Sequence, residues 1–232
     1  MALYAIGDLH LSFNSNKSME VFGDGWFNYI DRIKAGFESL EATDTTVLCG
    51  DISWGMSLKE SLNDFLFIEG LPGKKIILKG NHDYWWTTVT KMNTFFEANN
   101  IKSIEILNNN CYYYNEVAIC GTRGWMREDD FSSEENKKVA TRENMRLRAS
   151  LEAAIKAEIK ICFIHYPPIT KGKDYCDFIP LMNEYGVKTC VYAHLHNVDQ
   201  QNTEQLQGVI DGIDYKMVSS DYLSFIPQKI MM

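Results

Sequence analysis

VYAHLHN, residues 191–197, is a short apolar run that ends in two histidines with one residue between them. Side chains two apart on a strand point to the same face. The stretch therefore offers two imidazoles side by side where a buried strand stops. It continues the run KTCVYA (188–193), and four other runs share its form: ALYAI (2–6), TTVLC (45–49), KKIILK (74–79) and KICFI (160–164). Short continuous runs with Val and Ile predict strands buried on both faces.

Each run ends in a polar cluster. The clusters are Gly7-Asp8-Leu9-His10, Gly50-Asp51, Gly80-Asn81-His82-Asp83, His165, and His194 with His196. The chain has five histidines, and all five lie at these ends. Ligands of α/β sheets bind beyond the carboxyl ends of strands. Glycine before the polar residue lets the backbone turn sharply and approach closely. One site is expected to collect all five clusters.

Helix-like segments lie between the strands, at roughly 26–40, 58–68, 85–98, 133–157 and 177–185. The fourth opens with Ser132 and Glu135 in capping-box spacing and carries Met145, Leu147, Leu151, Ala154 and Ile155 at near-helical spacing. Residues 103–107 and 112–120 are expected to pair as strands, as are 206–210 and 213–219 around the Asp211-Gly212 turn. The alternation predicts an α/β fold with a mixed sheet or two packed sheets, in a single domain over 1–232.

Composition narrows the function. The chain has 232 residues, 45% apolar, with a net charge of −8. A broad grip on nucleic acid needs a basic surface, so that partner is disfavoured. A local phosphate site is compatible with the charge, because bound metal reverses the local sign. No apolar run approaches the roughly 18 residues of a membrane helix. The opening MALYAIGDLH lacks a basic n-region. The expectation is a cytoplasmic enzyme with no membrane partner. Six cysteines form no C-x-x-C pair. Cys49, Cys120, Cys162 and Cys190 fall in the strand-like runs and read as buried free thiols.

The clustered donors are carboxylate, amide and imidazole, too many for one ion. Such ligands suit Mn, Fe or Zn in five- or six-coordination. The count fits two ions sharing a carboxylate, an arrangement that can clamp a phosphoryl group. No G-x-S-x-G elbow is present for a serine hydrolase. HLHNVDQ lacks the H-x-H-x-D-H spacing of metallo-β-lactamases.

In their order, D-x-H, G-D, G-N-H-D, a lone His and H-x-H resemble the calcineurin-like metallophosphoesterase superfamily, from residue 7 to 196. GNHDYWW and GTRGW are similar to a group of small prokaryotic predicted phosphohydrolases. The resemblance implies a four-layer αββα sandwich of two mixed sheets, with the site at one edge of the central sheets. It implies two divalent ions: Asp8, His10 and His196 on the first, Asn81, His165 and His194 on the second, and Asp51 bridging. A hydroxide between the metals would attack phosphorus. His82 would stand beside the site and stabilise the pentacoordinate phosphorus or protonate the leaving oxygen.

Two positions depart from that pattern. Ala193 stands where the family usually has Gly, which matters only if φ there is positive. In GDISWGM, Trp54 and Gly55 replace an Asp and an Arg of the Ser/Thr protein phosphatase branch, which argues against that activity. Asp83 either orients His82 or caps a helix starting near Tyr84. Arg123, and less so Arg127, could grip a substrate phosphate. Trp54, Trp85, Trp86 and Trp125 either wall the substrate site or anchor its loops. Residues 11–25 are a candidate flap. The leading expectation is a hydrolase of small phosphodiesters such as nucleotides. A phosphomonoesterase stands close behind, and a non-catalytic binding scaffold further back. The sequence does not determine the oligomeric state.

Overall fold

All five apolar runs form strands. The structure, a computed structural model, describes residues 1–15, 17–125, 134–170, 173–174, 178–198 and 206–231. In chain order the elements are β1 (Leu3–Ile6), α1 (Tyr29–Phe37), β2 (Thr45–Leu48), α2 (Leu62–Glu69), β3 (Lys74–Ile77), α3 (Val89–Ala98) and β4 (Ile104–Ile106). There follow β5 (Tyr112–Tyr114), β6 (Val117–Thr122), α4 (Glu134–Ala153), β7 (Ile159–Ile164), β8 (Ile169–Thr170), β9 (Lys173–Asp174) and α5 (Phe178–Glu184). The last are β10 (Thr189–Tyr192), β11 (Gly208–Ile210), β12 (Ile213–Met217) and β13 (Gln228–Met231). The chain divides into two compact units: Met1–Ile106 with Val218–Met232, and Leu107–Met217. Each carries one mixed sheet, so the fold is α/β with two mixed sheets.

The first unit has a five-stranded sheet in the order β13-β1-β2-β3-β4. β1 to β4 run parallel, and β13 adds antiparallel to the free edge of β1. Ile6 pairs with Leu48 and Leu48 with Ile77. β1, β2 and β3 therefore finish flush, and the polar cluster behind each begins at the same level. The sheet's apolar side chains meet Ile33 and Phe37 of α1, Phe65 and Ile68 of α2, and Met92 and Phe96 of α3 in one buried cluster. Truncating one such ring, as in Phe65→Ala, costs about 3–5 kcal/mol.

The second unit has a six-stranded sheet in the order β11-β12-β10-β7-β6-β5, with β8 and β9 as a separate pair. β6, β7 and β10 also finish flush: Thr122 pairs with Ile164, and Ile164 with Tyr192. Leu147, Ser150 and Leu151 of α4 are buried. Ser132, the expected cap of that helix, lies outside the described residues.

The sequence expectations hold for the five runs and for the β11–β12 hairpin, where Asp211 and Gly212 both take positive φ (49° and 80°). They fail at 103–107 and 112–120, which do not pair with each other. β4 extends the first sheet beside β3, whereas 112–120 folds on itself as the β5–β6 hairpin. Asn115 makes that turn in the left-handed region (φ 51°), which an asparagine tolerates. β13 escaped notice because an edge strand, only half-buried, need not be an apolar run. α3 begins later than expected, because Thr88 caps it by accepting the Lys91 N–H. Among the described residues, no helix is long and apolar enough to cross a membrane.

Candidate metal centre

In the first unit the loops behind β1 and β2 stay zipped together past the strand ends. Asp8 N–H donates to Gly50 O at 2.9 Å, His10 N–H to Asp51 O at 2.9 Å, and Trp54 N–H to Leu11 O at 2.9 Å. Asp8, His10 and Asp51 all take positive φ (57°, 46° and 52°). Left-handed backbone is costly for residues with a Cβ and concentrates at functional sites. The strain turns the side chains of two adjacent loops toward one place. Asp8 and His10 offer ligand atoms within 4.8 Å of one another. His10 Nε2 stands 3.7 Å from Asp51 Oδ2, too far for a hydrogen bond and suited to two ligands of one ion. Asp8, His10 and Asp51 are buried, and Asn81 is half-buried.

The loop behind β3 closes on the same carboxylate. A Cβ on Gly80 would collide with the Asp51 backbone nitrogen and carboxylate, so the glycine permits the approach. Asp51 Oδ1 accepts the His82 backbone N–H at 2.8 Å. Asp83, fully buried, accepts five donors: the N–H groups of Asp51 (2.9 Å), Ile52 (2.8 Å), Ser53 (3.3 Å) and Gly80 (2.7 Å), and the Trp85 indole N–H (3.0 Å). Asp83 thus neither hydrogen-bonds the His82 ring nor caps a helix, because its oxygens are taken up by the Asp51 and Gly80 loops. Burial, and then the Asp51 charge, hold its carboxyl well above the ordinary carboxylate range.

His82 Nδ1 is buried and makes no hydrogen bond among the described residues. Aromatic contact orients the ring instead. Trp54 stacks on His10 (centroids 4.9 Å apart, planes at 21°) and lies 4.5 Å from His82. Trp26, which the sequence reading passed over, meets His10 edge-on at 5.9 Å. Trp85 is 2% exposed and packs its ring against Phe65. It is an anchor of the loop rather than a substrate wall. The Ser53 hydroxyl donates to the buried Asp64 carboxylate, which also accepts the Phe13 N–H at 2.9 Å. This contact pins the start of segment 11–25 to α2.

The second unit repeats the device. His165 and Tyr166 both donate their N–H groups to Arg123 O (3.1 and 3.0 Å), and Ala193 N–H donates to His165 O at 3.1 Å. His165 Nε2 and His194 Nδ1 stand 3.2 Å apart. His194 has φ 76°, while Ala193, the residue replacing glycine, does not have positive φ and bears no strain. The Tyr166 ring lies 4.4 Å from His194, a contact that no sequence motif signalled. His196 is half-buried. Arg123 Nη2 is 3.2 Å from Glu143 Oε1, and its guanidinium lies 5.2 Å from the Trp125 ring. Arg127 lies outside the described residues. The donors in both units are oxygen and nitrogen without thiolate, a set that fits Mn, Fe or Zn.

A family model described as Calcineurin-like phosphoesterase matches residues 1–198. Among solved structures, the chain is similar to TT1561 of Thermus thermophilus, with a TM-score of 0.58 at 11% identity, covering 99% of this chain and 97% of that one. It is also similar to the phosphopantetheinyl hydrolase PptH from Mycobacterium tuberculosis, with a TM-score of 0.56 at 15% identity and coverage of 99% and 95%. GAP50, the anchor in the inner membrane complex of Plasmodium, gives 0.53 at 14% identity and coverage of 95% and 72%. At these identities the likeness concerns the fold alone. No curated protein matches.

Proposed function

The chain belongs to the calcineurin-like phosphoesterase family, and from that premise we propose that it hydrolyses small phosphodiesters with two divalent ions. Asp8, His10 and His196 would hold one ion, Asn81, His165 and His194 the other, and Asp51 would bridge. The observation that carries the reading is the backbone strain. Asp8, His10, Asp51 and His194, four of the seven proposed ligands, sit at positive φ behind flush strand ends. A scaffold that had lost the chemistry would have no use for strain at these ligands.

The ions, when bound, supply Lewis acidity to phosphoryl oxygens and lower the pKa of water. The chain's residues do the rest. Asp51 fixes the His82 backbone through Oδ1, and Trp54, itself stacked on His10, meets the His82 imidazole at a tilt of 47° and holds it in place. His82 is the proton donor to the leaving oxygen. Arg123 carries the substrate phosphate. A nucleotide-like diester suits Trp54, whose half-buried indole offers a stacking surface near the ligand loops.

The test is hydrolysis of an aryl phosphodiester and its monoester side by side on Mn-loaded protein, with a chelated control. Diester turnover lost on chelation is expected, together with loss by orders of magnitude in Asp51→Asn. Monoester turnover alone would replace the diester reading with a monoesterase. Failure to bind metal would return the scaffold reading, in line with the anchor role named for GAP50 on a similar fold.

A further inference from the structure

Four of the chain's six cysteines fall in one row across the sheet of the second unit. Cys120 of β6 pairs with Cys162 of β7, and Cys162 with Cys190 of β10. On the other side of β6, Tyr112 pairs with Ile119. Continuing that register by one residue sets Cys111 opposite Cys120. Residues opposite one another across a ladder point to the same face, so the four thiols share a face. The Ser150 hydroxyl of α4 ties the ends together: it accepts the Gly121 N–H at 2.9 Å and donates to Asn110 O at 2.6 Å.

The hairpin's own pattern decides what the outer pair can do. Asn115 and Glu116 form a two-residue turn, closed by the Tyr114–Val117 pair. Hydrogen-bonded and non-hydrogen-bonded pairs alternate outward from a closing pair. Counting out, Tyr112 with Ile119 is hydrogen-bonded, and Cys111 with Cys120 is not. Non-hydrogen-bonded pairs bring Cα atoms to about 4.5 Å, inside the range a disulfide spans. The inner pairs differ in access: Cys120, Cys162 and Cys190 are fully buried, whereas Cys111 is half-buried.

We propose that Cys111 and Cys120 are an oxidisable dithiol that closes to a disulfide across the β5–β6 hairpin when the protein meets a low-molecular-weight disulfide. Cys111 Sγ attacks the external disulfide, forming a mixed disulfide and releasing one small thiol. Cys120 Sγ then attacks Cys111 Sγ and releases the second. The protein pair loses two electrons and two protons, and the external disulfide gains both as two thiols. Burial, with Cys162 and Cys111 beside it, pushes the Cys120 thiol up, so the second step is slow at neutral pH and speeds up as pH rises.

The test is thiol counting on the folded full chain after incubation with oxidised glutathione, followed by peptide mapping. Free thiols are expected to fall from six to four, with the Cys111 and Cys120 peptides cross-linked and dithiothreitol reversing the change. The rate of closure should not depend on protein concentration. Cys162→Ser should still lose two thiols, and Cys111→Ser, at a half-buried position, should lose none. Six thiols persisting, a stable glutathione adduct on Cys111 that never closes, or a cross-link to Cys176 or between chains would each overturn the proposal.

Discussion

The Asp83 carboxylate accepts the Asp51 backbone N–H at 2.9 Å, so the last residue of the third motif holds the main chain of the proposed bridging ligand. Four further donors converge on the same two oxygens. Replacing Asp83 with Ala leaves these N–H groups buried without an acceptor, and each such loss costs about 1–3 kcal/mol. Asp83→Asn keeps the shape but points amide hydrogens at some of the donors. Both variants are expected to lose about 3 kcal/mol or more of unfolding free energy in denaturant titrations. Both should also bind fewer than two Mn ions per chain by calorimetry. A variant of wild-type stability would show that the five donors find other acceptors.

Trp54 occupies the place where the protein phosphatase branch carries a carboxylate, and it touches His82 through its ring. Its indole N–H donates to Met19 Sδ at 3.4 Å, which fixes the ring plane. Trp54→Ala frees the imidazole to rotate. Misplacing a catalytic group by about 1 Å costs on the order of a hundredfold. The expected result is a kcat on the aryl diester lower by roughly tenfold to a hundredfold, with Mn stoichiometry unchanged. Trp54→Phe should recover most of it, because a smaller ring still packs. Equal loss in both variants, or an effect on KM alone, would leave Trp54 only its substrate-stacking role and remove its part in positioning His82.

Much of this arrangement was legible in the sequence because strand-end chemistry is local. A Gly-Asp or Gly-Asn-His behind an apolar run announces both the end of the strand and the donor beyond it. What stayed hidden depends on partners far along the chain. Asp83 read as a helix cap or a partner of His82, since nothing in GNHDYWW reveals that its oxygens serve the loop behind β2. Trp85 read as either a wall or a loop anchor, because burial cannot be counted from a loop position. Tyr166 and Trp26 carry no motif at all. Nor does periodicity mark β13, whose half-buried edge position needs no apolar face.

Arg123 is held in the second unit by Glu143, a carboxylate 1% exposed that also receives Thr122 Oγ1 at 2.8 Å and Arg146 Nη1 at 2.7 Å. A buried carboxylate with three donors gives the guanidinium a fixed base while leaving it other donors for a ligand. Arg123→Ala is expected to raise KM for the aryl diester by about tenfold, the size of one charged hydrogen bond. kcat should stay within about threefold. Arg123→Lys should recover little, since an ammonium lacks the planar fork. A fall in thermal midpoint with KM unchanged would make the residue a structural tie of Glu143.

Lys75 on β3 is fully buried, and its ammonium donates to Leu71 O and Gly73 O, each at 2.8 Å. Burial lowers its pKa to about 8, against a smaller opposing pull from Glu69. In the unfolded chain the group titrates near 10.5. Between these values the unfolded state binds the proton that the folded state has released, so this residue's contribution to stability rises with pH. The buried thiols of Cys120 and Cys162, raised by burial, work in the opposite direction above their unfolded pKa. Comparison with Lys75→Met cancels them, because both chains share them. Across about pH 8 to 10.5, wild type is expected to gain on the variant by about 1.4 kcal/mol per pH unit, to a total of about 3 kcal/mol. Urea titrations at three pH values measure it. A constant difference would mean that the two carbonyls keep Lys75 charged in the fold.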